Sequence, residues 1–469
     1  SLLTPLTTKY SVQGVGAQLK VQYKDFQVNS FFASNAMGSM GRTPAWNNPK
    51  DYKLRNTRSL VDAGYKYQVS SDVDLNFNVT YNHFEYDSYN PSYTDVYTNR
   101  YSDDFVAEVT GFIHPSSKLN IVFGGLTNSQ SGGATQRDLD ANGNSFDLSK
   151  GTINSNPWIT VPQYSQTWFS AYFQAEYSPF DLVKFVLGGQ VNKVTGLDLD
   201  FVPRLGAVFT FTPSFSAKVL YGQAFRSATA FEREAKSPPS VYGYQGLIPE
   251  KIKTFETQVN YSTKRFDVSL TYFNNSEENL ISRSLTSDSL VVIIFQGKKT
   301  SLQRYINKGT YQSSGFEFDG RASLSENLSV VAGASIITGE DNKGAKDIYG
   351  TPKTMVKFGV SGNFDPVDFG IYDSYFGDLP SILVYDTKGK LLTKTVNPEA
   401  KAYHFVTANF GLNLKKLFNT ASFPNIKFNL YVTNLFNSEI YYPEVVRKNI
   451  NSLPGRPPRA VYGSISVTF

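Results

Sequence analysis

Apolar and polar residues alternate along four segments of the chain between Pro203 and Phe273. The apolar positions of the last three segments are Phe215, Ala217, Val219 and Tyr221, then Phe255, Thr257, Val259 and Tyr261, then Phe266, Val268, Leu270 and Tyr272. Because side chains in a strand point to opposite faces in turn, each segment predicts a strand with one apolar and one polar face. The connections are short, long and short, at residues 212–214, 225–251 and 263–265. Tight turns that alternate with long loops are typical of a membrane β-barrel.

The same alternation recurs along the whole chain and predicts 19 strands. They lie near 10–23, 26–34, 59–69, 73–84, 101–113, 118–128, 164–177, 182–194, 201–211, 215–224, 252–262, 265–275, 303–319, 328–338, 354–363, 367–376, 402–414, 426–435 and 460–469. Many segments match the roughly 9–11 tilted residues that cross a bilayer, whereas strands of a β-sandwich or propeller average about 5–6. We therefore expect an all-β, antiparallel transmembrane barrel.

Short and long connections alternate between these strands. Long ones cover about 35–58, 85–100, 129–163, 225–251, 276–302, 339–353, 377–401 and 436–459, whereas the connection near 195–200 and the turn near 415–425 depart from the pattern. In outer-membrane barrels the short turns face the periplasm and the long loops face outside. We therefore expect the bacterial outer membrane as the location, with the C-terminus in the periplasm.

The predicted first and last strands run in the same direction. A closed barrel with an even number of strands begins and ends on one side, so an odd number of strands is expected before residue 10. Three further strands would give a barrel of 22 strands, whose lumen is wide enough to need a plug. We expect 1–469 to be one transmembrane β-barrel domain, with an N-terminal plug domain and the first strands lying outside these residues. The alternative is a divergent barrel without a plug.

The composition supports a β-barrel over a helical membrane protein, and it excludes chemistry that depends on cysteine. Aromatic residues make up 15% of the chain, with 30 Tyr and 36 Phe, although the mean hydropathy is only −0.30. No apolar run approaches the roughly 18 residues of a spanning helix. The chain has no cysteine, which excludes disulfides and thiolate chemistry. Its net charge of +5 is scattered and forms no basic run of the kind that binds nucleic acid.

Four segments in the second half resemble one known family. Residues 202–232 read VPRLGAVFTFTPSFSAKVLYGQAFRSATAFE and 247–261 read LIPEKIKTFETQVNY. They are followed by YINKGTYQSSGFEFDG at 305–320, and by LYVTNLFNSEIYY and LPGRPPRAVYGSISVTF near the end. In this order they resemble the barrel motifs of TonB-dependent outer-membrane receptors. The resemblance covers most of the chain from about residue 160 and is weaker before it.

The resemblance implies active import of a scarce, bulky solute, with a ferric siderophore as the leading expectation. It also implies a TonB complex acting through an N-terminal segment that this sequence does not contain, and contact with outer-membrane lipid and lipopolysaccharide. Two alternatives remain open: a passive porin-like channel, and an envelope docking or adhesin-like barrel. No nucleic-acid partner is expected.

Aromatic and basic residues of the long loops are the candidate ligand-binding residues. Arginine and lysine supply positive charge and tyrosine supplies flat contact area, as an anionic and partly aromatic ferric chelate requires. The alternative is that such residues belong to any outside loop, and that Arg226 holds a strand end in place. The candidates are Arg226, Tyr242, Tyr244, Tyr441, Tyr442, Arg447 and Lys448, together with Lys298, Lys299 and Arg456.

One loop has the spacing of a calcium site. Its alternate oxygen-bearing residues are Asp138, Asp140, Asn142 and Asn144, and Gly143 allows a sharp turn. The bidentate glutamate expected at the twelfth position is Ser149, and loops are rich in the same residues for other reasons. Calcium in an extracellular loop is the one candidate cofactor, and no other is expected.

No catalytic residues are predicted. The sequence has no phosphate-binding glycine loop after a strand, no His-x-x-x-His pair and no Gly-x-Ser-x-Gly elbow. Its three histidines are His83, His114 and His404. His83 continues the apolar phase of its strand, which places it in the interfacial belt of a barrel. We therefore expect a protein that is not an enzyme.

Overall fold

A computed structural model describes most of the chain. The described residues are 12–38, 53–90, 95–139, 145–147, 152–153, 158–237, 241–283, 291–295, 298–341, 351–379, 400–419, 424–442 and 456–468. These residues form strands and two one-turn helices, and neither helix is long and apolar enough to span a membrane.

The elements follow in chain order. They are β1 (Val12–Tyr23), β2 (Phe26–Gly38), β3 (Lys53–Ser70), β4 (Val73–Asn90), β5 (Asp95–Ser116), β6 (Leu119–Leu139), β7 (Ser145–Asp147), β8 (Thr152–Ile153), β9 (Trp158–Phe180), β10 (Val183–Val194), β11 (Leu199–Thr212), β12 (Phe215–Arg226), α1 (Ala230–Glu234), β13 (Lys236–Ser237), β14 (Val241–Tyr242), β15 (Glu250–Ser262), β16 (Phe266–Glu278), β17 (Ile281–Arg283), β18 (Val291–Phe295), β19 (Lys298–Asn307), β20 (Tyr311–Ser323), β21 (Leu328–Asp341), β22 (Thr354–Phe364), β23 (Val367–Phe376), β24 (Tyr403–Asn413), α2 (Leu414–Phe418), β25 (Asn425–Thr433) and β26 (Ala460–Thr468).

Nineteen long strands form one antiparallel sheet, in agreement with the predicted number. Each strand pairs with the next long strand along the chain, so β6 pairs with β9, β12 with β15 and β16 with β20. The short strands β7 and β8 continue from β6. Such a meander of neighbouring strands is the topology of an up-and-down barrel. The prediction of an all-β antiparallel barrel is confirmed.

The register places apolar and polar residues on opposite faces of the sheet. Val219, Thr257 and Tyr272 lie in one row across β12, β15 and β16. Lys218, Gln258 and Thr271 form the adjacent row on the other face, where Gln258 donates to the Thr271 hydroxyl at 2.8 Å. We call the Phe- and Tyr-rich face the outer face and the polar one the lumen face. Both match the faces predicted from the alternation.

Connections of two kinds give the barrel two different ends. The short-turn end has residues 24–25, 71–72, 117–118, 181–182, 213–214, 263–265, 324–327 and 365–366 between paired strands. Helix α2 (Leu414–Phe418) also lies there, between β24 and β25, which explains why that turn is longer than the others. The opposite end, the long-loop end, has the remaining connections, with residues 91–94 and 195–198 as short exceptions.

Several sequence-based boundaries are wrong. The loop expected at 129–163 is mostly strand, since β6 extends to Leu139 and β9 begins at Trp158. The single strand expected at 303–319 is divided into β19 and β20, because residues 308–310 turn the chain and Gly309 has a φ of +133°, a conformation that favours glycine. The loop expected at 85–100 is mostly strand, since β4 extends to Asn90 and β5 begins at Asp95. Polar residues there still pair in register, with Glu85 opposite Tyr101 and Asp87 opposite Asn99.

The wall of the barrel is uneven in height. Strands β5, β6 and β9 have 22, 21 and 23 residues, whereas β25 and β26 have 9 each. Because a membrane strand needs only about 9–11 residues, the long strands continue beyond the bilayer as a paired ribbon. The tall wall therefore lies at β3–β9 and the low wall at β22–β26.

Two strands of the long sheet have one open edge. Among the described residues, β1 pairs only with β2 and β26 pairs only with β25. An open edge presents unpaired backbone N–H and C=O groups, which have no hydrogen-bond partner in lipid. A barrel of these nineteen strands therefore needs further pairing between β1 and β26 when it lies in a membrane.

Candidate functional site

A second, small sheet lies at the long-loop end. Residues 227–249 contribute α1, β13 and β14, and residues 279–310 contribute β17, β18 and β19. Strand β14 pairs in parallel with β19, so that Val241 lies opposite Gln303 and Tyr242 opposite Arg304. Ala235, Val241 and Leu247 are each 1% exposed and form a core of their own. We call the described part of these two loops the loop layer.

Arg226 joins the loop layer to the barrel. It is the last residue of β12, and its Nε donates to Glu250 Oε2 at 2.6 Å. Its Nη1 and Nη2 donate to the two oxygens of Glu232 at 2.9 and 3.2 Å. Glu250 Oε1 accepts from the backbone N–H of Ile281 at 2.7 Å, which links the second loop. One arginine and two carboxylates thus tie a strand end to both loops.

Glu232 also caps helix α1. Its carboxylate accepts from the backbone N–H of Thr229 at 2.7 Å, and the Thr229 hydroxyl accepts from the N–H of Glu232, as in a capping box. Burial alone would raise the pKa of Glu232, but the hydrogen bonds from Arg226 and Thr229 lower it below its usual value. The ionised carboxylate is therefore the form that the loop layer holds.

Asn307 clamps the two loops together. Its Oδ1 accepts from the N–H of Ile248 at 2.9 Å, and its Nδ2 donates to the carbonyl oxygens of Ile248 at 2.8 Å and Asn279 at 2.7 Å. The side-chain amide thus pairs with a backbone amide as a neighbouring strand would. Both loops are held to each other as well as to the barrel.

The tyrosines predicted in the first loop belong to this layer. Tyr242 is half-buried in β14, and burial raises the pKa of its hydroxyl. Tyr244 is 39% exposed, and the guanidinium of Arg304 lies 4.5 Å from its ring centroid. A cation over an aromatic face is an attractive contact that leaves the other ring face free. Tyr244 is the more accessible of the two for a solute.

A second cluster of cationic and aromatic residues lies above β23 and β24. The guanidinium of Arg456 is 5.0 Å from the ring centroid of Phe405 and 5.9 Å from that of Phe376. It also donates hydrogen bonds to the hydroxyls of Tyr403 and Tyr442. Burial alone would lower the pKa of Arg456, but these hydrogen bonds raise it above its usual value. We call these five residues the Arg456 cluster.

The Arg456 cluster faces the lumen at the rim of the low wall. Phe376 lies opposite Tyr403 and Ser374 opposite Phe405 in the β23–β24 pair, and this row belongs to the polar face. The Phe376 and Tyr403 rings stack with centroids 4.9 Å apart. Arg456 Nε is buried and has no hydrogen-bond partner among the described residues, whereas Tyr442 is 42% exposed. The cluster offers a fixed cation and accessible ring surface.

The lumen wall below the loop layer is polar and partly buried. Ser170 Oγ donates to Asn192 Oδ1 at 2.6 Å, and Asn192 lies opposite Asp200 in the β10–β11 pair. Lys251 Nζ donates to Asp200 Oδ1 at 2.7 Å. Ser170, Asn192 and Asp200 are 7%, 2% and 9% exposed, which is low for a wide lumen. Helix α1 packs against β9, so the loop layer folds toward this wall.

The predicted site residues divide into three groups. Tyr242 and Tyr244 lie in the loop layer and Arg226 lies at its junction with the barrel, whereas Tyr442 lies beside Arg456 in the second cluster. The Tyr441 hydroxyl donates to Glu439 at 3.5 Å. Arg447 and Lys448 lie outside the described residues, as do the side chains of Lys298 and Lys299. Ligand contact by any of these residues stays a prediction.

The predicted calcium loop also lies largely outside the described residues. Asp140, Asn142 and Asn144 are not among them, and Asp138 is described only as a backbone position of β6 opposite Phe146 of β7. The calcium site stays a prediction.

Sequence reasoning missed the residues that organise this end of the barrel. Glu232, Glu250 and Asn307 are isolated polar residues in loops or at strand ends, where such residues are common. The Thr229–Glu232 spacing is the one available signal, since a Thr three residues before a Glu predicts a capping box. Nothing in the spacing of Tyr403, Tyr442 and Arg456 predicts that they meet.

Comparison with known proteins identifies the same architecture. Residues 7–435 match the family profile described as TonB dependent receptor-like, beta-barrel. A comparison with curated proteins found no match.

Among solved structures, the chain is similar to the siderophore receptor PirA from Acinetobacter baumannii, with a TM-score of 0.73 at 15% identity over 98% of this chain and 71% of that one. It is similar to the pyoverdine outer membrane receptor FpvA from Pseudomonas aeruginosa PAO1, with a TM-score of 0.70 at 16% identity over 98% and 71%. It is also similar to the copper transporter OprC, with a TM-score of 0.67 at 11% identity over 98% and 74%.

The structural likenesses agree with the barrel fold, and the family profile spans nearly the whole chain. The nineteen-stranded antiparallel sheet is the architecture that this chain shares with these outer-membrane barrels. The chain belongs to the TonB-dependent receptor-like β-barrel family.

Proposed function

We propose that this barrel imports a bulky anionic chelate, with a ferric siderophore as the expected cargo, across the bacterial outer membrane. The Arg456 cluster carries this proposal. A fixed guanidinium flanked by four aromatic rings suits a solute that is negatively charged and flat. PirA and FpvA are described as a siderophore receptor and a pyoverdine receptor, which supports the same class of cargo.

The orientation of the barrel follows from the same proposal. The long-loop end, with the loop layer and the Arg456 cluster, faces outside and meets the solute, and the short-turn end and the C-terminus face the periplasm. The open edges of β1 and β26 are closed by three further strands, which gives 22. The TonB complex acts through a segment N-terminal to those strands.

Uptake by cells that carry the full-length protein tests the cargo and the energy source together. Cells lacking their own copy are complemented with the wild type or with Arg456→Gln, and uptake of iron-55-labelled ferric pyoverdine, ferric enterobactin and the neutral chelate ferrichrome is measured. We expect energy-dependent uptake of at least one of the two anionic chelates, and a loss of about tenfold in Arg456→Gln, since about 1.4 kcal/mol is tenfold. Uptake of ferrichrome alone would contradict an anionic cargo.

The outcomes separate the proposal from its rivals. Uptake that survives deletion of TonB indicates a passive channel. Uptake of copper-64 and of none of the chelates indicates a metal-ion cargo, as in OprC. No change of growth under iron limitation on deletion indicates a docking barrel. Arg265→Gln, in the short turn at the other end, is the matched control and keeps full uptake.

A further inference from the structure

A tight turn follows β25 at the rim of the low wall and begins at Asn434. Asn434 and Asn437 have positive φ angles of 48° and 55°, a left-handed conformation that asparagine adopts more readily than most residues. The N–H of Asn437 donates to the Asn434 carbonyl oxygen at 2.8 Å, and the N–H of Leu435 donates to the Val406 carbonyl oxygen of β24 at 2.9 Å. The turn is thus closed on itself and attached to the wall.

The side chain of Asn434 is buried inside this turn. It is 1% exposed, and both polar atoms of its amide make hydrogen bonds. Its Oδ1 accepts from the N–H of Ser438 at 2.9 Å, and its Nδ2 donates to the Ser438 carbonyl oxygen at 2.9 Å. The same Nδ2 donates to the carbonyl oxygen of Pro457 at 3.1 Å, in the segment that leads into β26. One side chain therefore joins the turn to the returning chain.

The returning segment has few backbone groups of its own that could pair with the turn. Two prolines follow Arg456, and neither has a backbone N–H. Asn434 holds the carbonyl oxygen of the first proline, and Asn437 Oδ1 accepts from the N–H of Arg459 at 2.9 Å. Both contacts lie within three residues of Arg456, so two asparagine side chains fix the backbone that carries this arginine.

Arg456 depends on a fixed backbone because its side chain makes four separate contacts. It donates to the hydroxyls of Tyr403 and Tyr442 and lies near the rings of Phe405 and Phe376. These partners belong to β23, β24 and the segment after the turn, whereas Arg456 itself precedes β26. A long side chain loses much rotamer freedom when it is held in one position, and a backbone that is already in place lowers that cost. The Arg456 cluster is therefore preorganised by residues outside it.

We propose that Asn434 is the positioning residue of the Arg456 cluster, with Asn437 in a supporting role. The buried Asn434 side chain does not contact the cargo; it holds Pro457 and thereby keeps the Arg456 guanidinium among its aromatic partners. Its effect on uptake rests on the proposed function, because that effect requires Arg456 to contact an anionic chelate. Its effect on the position of Arg456 does not.

The variant Asn434→Gly isolates the contribution of the side chain. Glycine adopts a positive φ freely, so the variant keeps the conformation of the turn and loses the three hydrogen bonds of the amide. Asn419→Gly is the matched control, since Asn419 also has a positive φ, of 48°, and lies at the C-terminal end of α2 at the short-turn end. Both changes are made in the full-length protein, and heat-modifiable migration on gels checks that each variant is folded.

The first measurement does not involve any cargo. Phenylglyoxal, which modifies accessible guanidinium groups, is added to the purified protein in detergent, and the modification of each arginine is followed by peptide mass spectrometry. The exposed Arg265, in a short turn, is the internal reference. We expect Arg456 to react slowly in the wild type and in Asn419→Gly. In Asn434→Gly it should react about tenfold faster, because the released segment opens more often.

The second measurement is the kinetics of uptake in cells, with ferric pyoverdine and ferric enterobactin as the probes. We expect the KM to rise about fivefold in Asn434→Gly with the maximal rate unchanged, because binding must then also order Arg456. The KM of the double variant Asn434→Gly/Arg456→Gln should equal that of Arg456→Gln, since two residues that act through one contact are not additive. Asn419→Gly should keep the KM of the wild type.

Unchanged reactivity of Arg456 in Asn434→Gly would overturn the proposal, as would a rise in KM that adds to that of Arg456→Gln. Faster reaction of Arg456, with no change in KM in either single variant, would support Asn434 as the residue that positions Arg456 and contradict the cargo contact of the proposed function. If Asn434→Gly does not fold, Asn437→Gly, at a φ of 55°, removes the contact with Arg459 and decides the question.

Discussion

Arg226 is the single residue on which the loop layer depends most directly. Arg226→Met removes its three hydrogen bonds and leaves Glu232 and Glu250, whose side chains are 16% and 17% exposed, without a cation between them. We expect the free energy of opening of residues 229–249 to fall by about 2–3 kcal/mol. Hydrogen exchange of these amides, followed by mass spectrometry, measures the change. Arg265→Met in an exposed turn should leave the exchange unaltered.

Protonation of Glu232 should have a related effect. Because its pKa is lowered in the folded loop layer, its contribution to stability is complete above the pKa of an unfolded glutamate, about 4.3, and is lost as the pH falls through the lower folded value. We expect exchange protection of α1 to decrease as the pH falls below about 4.3, after correction for intrinsic rates. In Glu232→Gln this pH-dependent loss of protection should be absent. If the variant shows the same loss, another titrating group is responsible.

Gly243 lies in close contact with the C-terminal end of helix α1 in the loop layer. A Cβ there would lie 2.5 Å from the backbone carbon and oxygen of Arg233, so Gly243→Ala must push the loop away from α1. Its N–H also donates to the Ala235 carbonyl at 2.7 Å. We expect a loss of about 1–3 kcal/mol in local stability, read from the rate of proteolysis in residues 227–249. Gly222→Ala is the control, since a Cβ at Gly222 meets nothing within 4 Å.

The clamp between the two loops leads to a second prediction for this layer. Asn307→Ala removes three hydrogen bonds, each worth about 1 kcal/mol, and should release residues 298–308 to trypsin while the barrel stays folded. Asn327→Ala in an exposed short turn is the matched control. Equal cleavage of both variants would show that the hydrogen bonds of Asn307 do not hold the two loops together.

The elements differ in how well the sequence predicts them. Strands with a clear apolar face, such as Phe266–Glu278, are predicted to within three residues at either end, because lipid on one side and water on the other impose a period of two. Above the membrane both faces of β4 and β5 meet water, so the contrast disappears and the pattern there predicts a loop. Contacts such as that of Asn307 with Ile248 join residues far apart in sequence, and no periodic pattern in the sequence predicts them.

The position of the barrel relative to the membrane can be measured by labelling single introduced cysteines, because the chain contains no cysteine of its own. A single Cys at Val79, on the outer face of β4, should resist a water-soluble maleimide in native membranes. A single Cys at Tyr97, further along the tall wall and 46% exposed, should react. On the low wall, a single Cys at Ile371 should be protected like that at Val79. Reaction at all three positions would contradict this placement of the barrel in the membrane.

The uneven wall also shapes the approach to the lumen. Strand β9 has 23 residues and β26 has 9, a difference of 14 residues, which is about 45 Å along the strand direction. The strand-built rim therefore slopes from the tall wall down to the low wall at β22–β26, where the Arg456 cluster lies. With the long-loop end outside, as proposed, a solute that moves along the cell surface close to the membrane reaches the lumen over this low side, whereas the paired ribbon blocks its approach on the tall side.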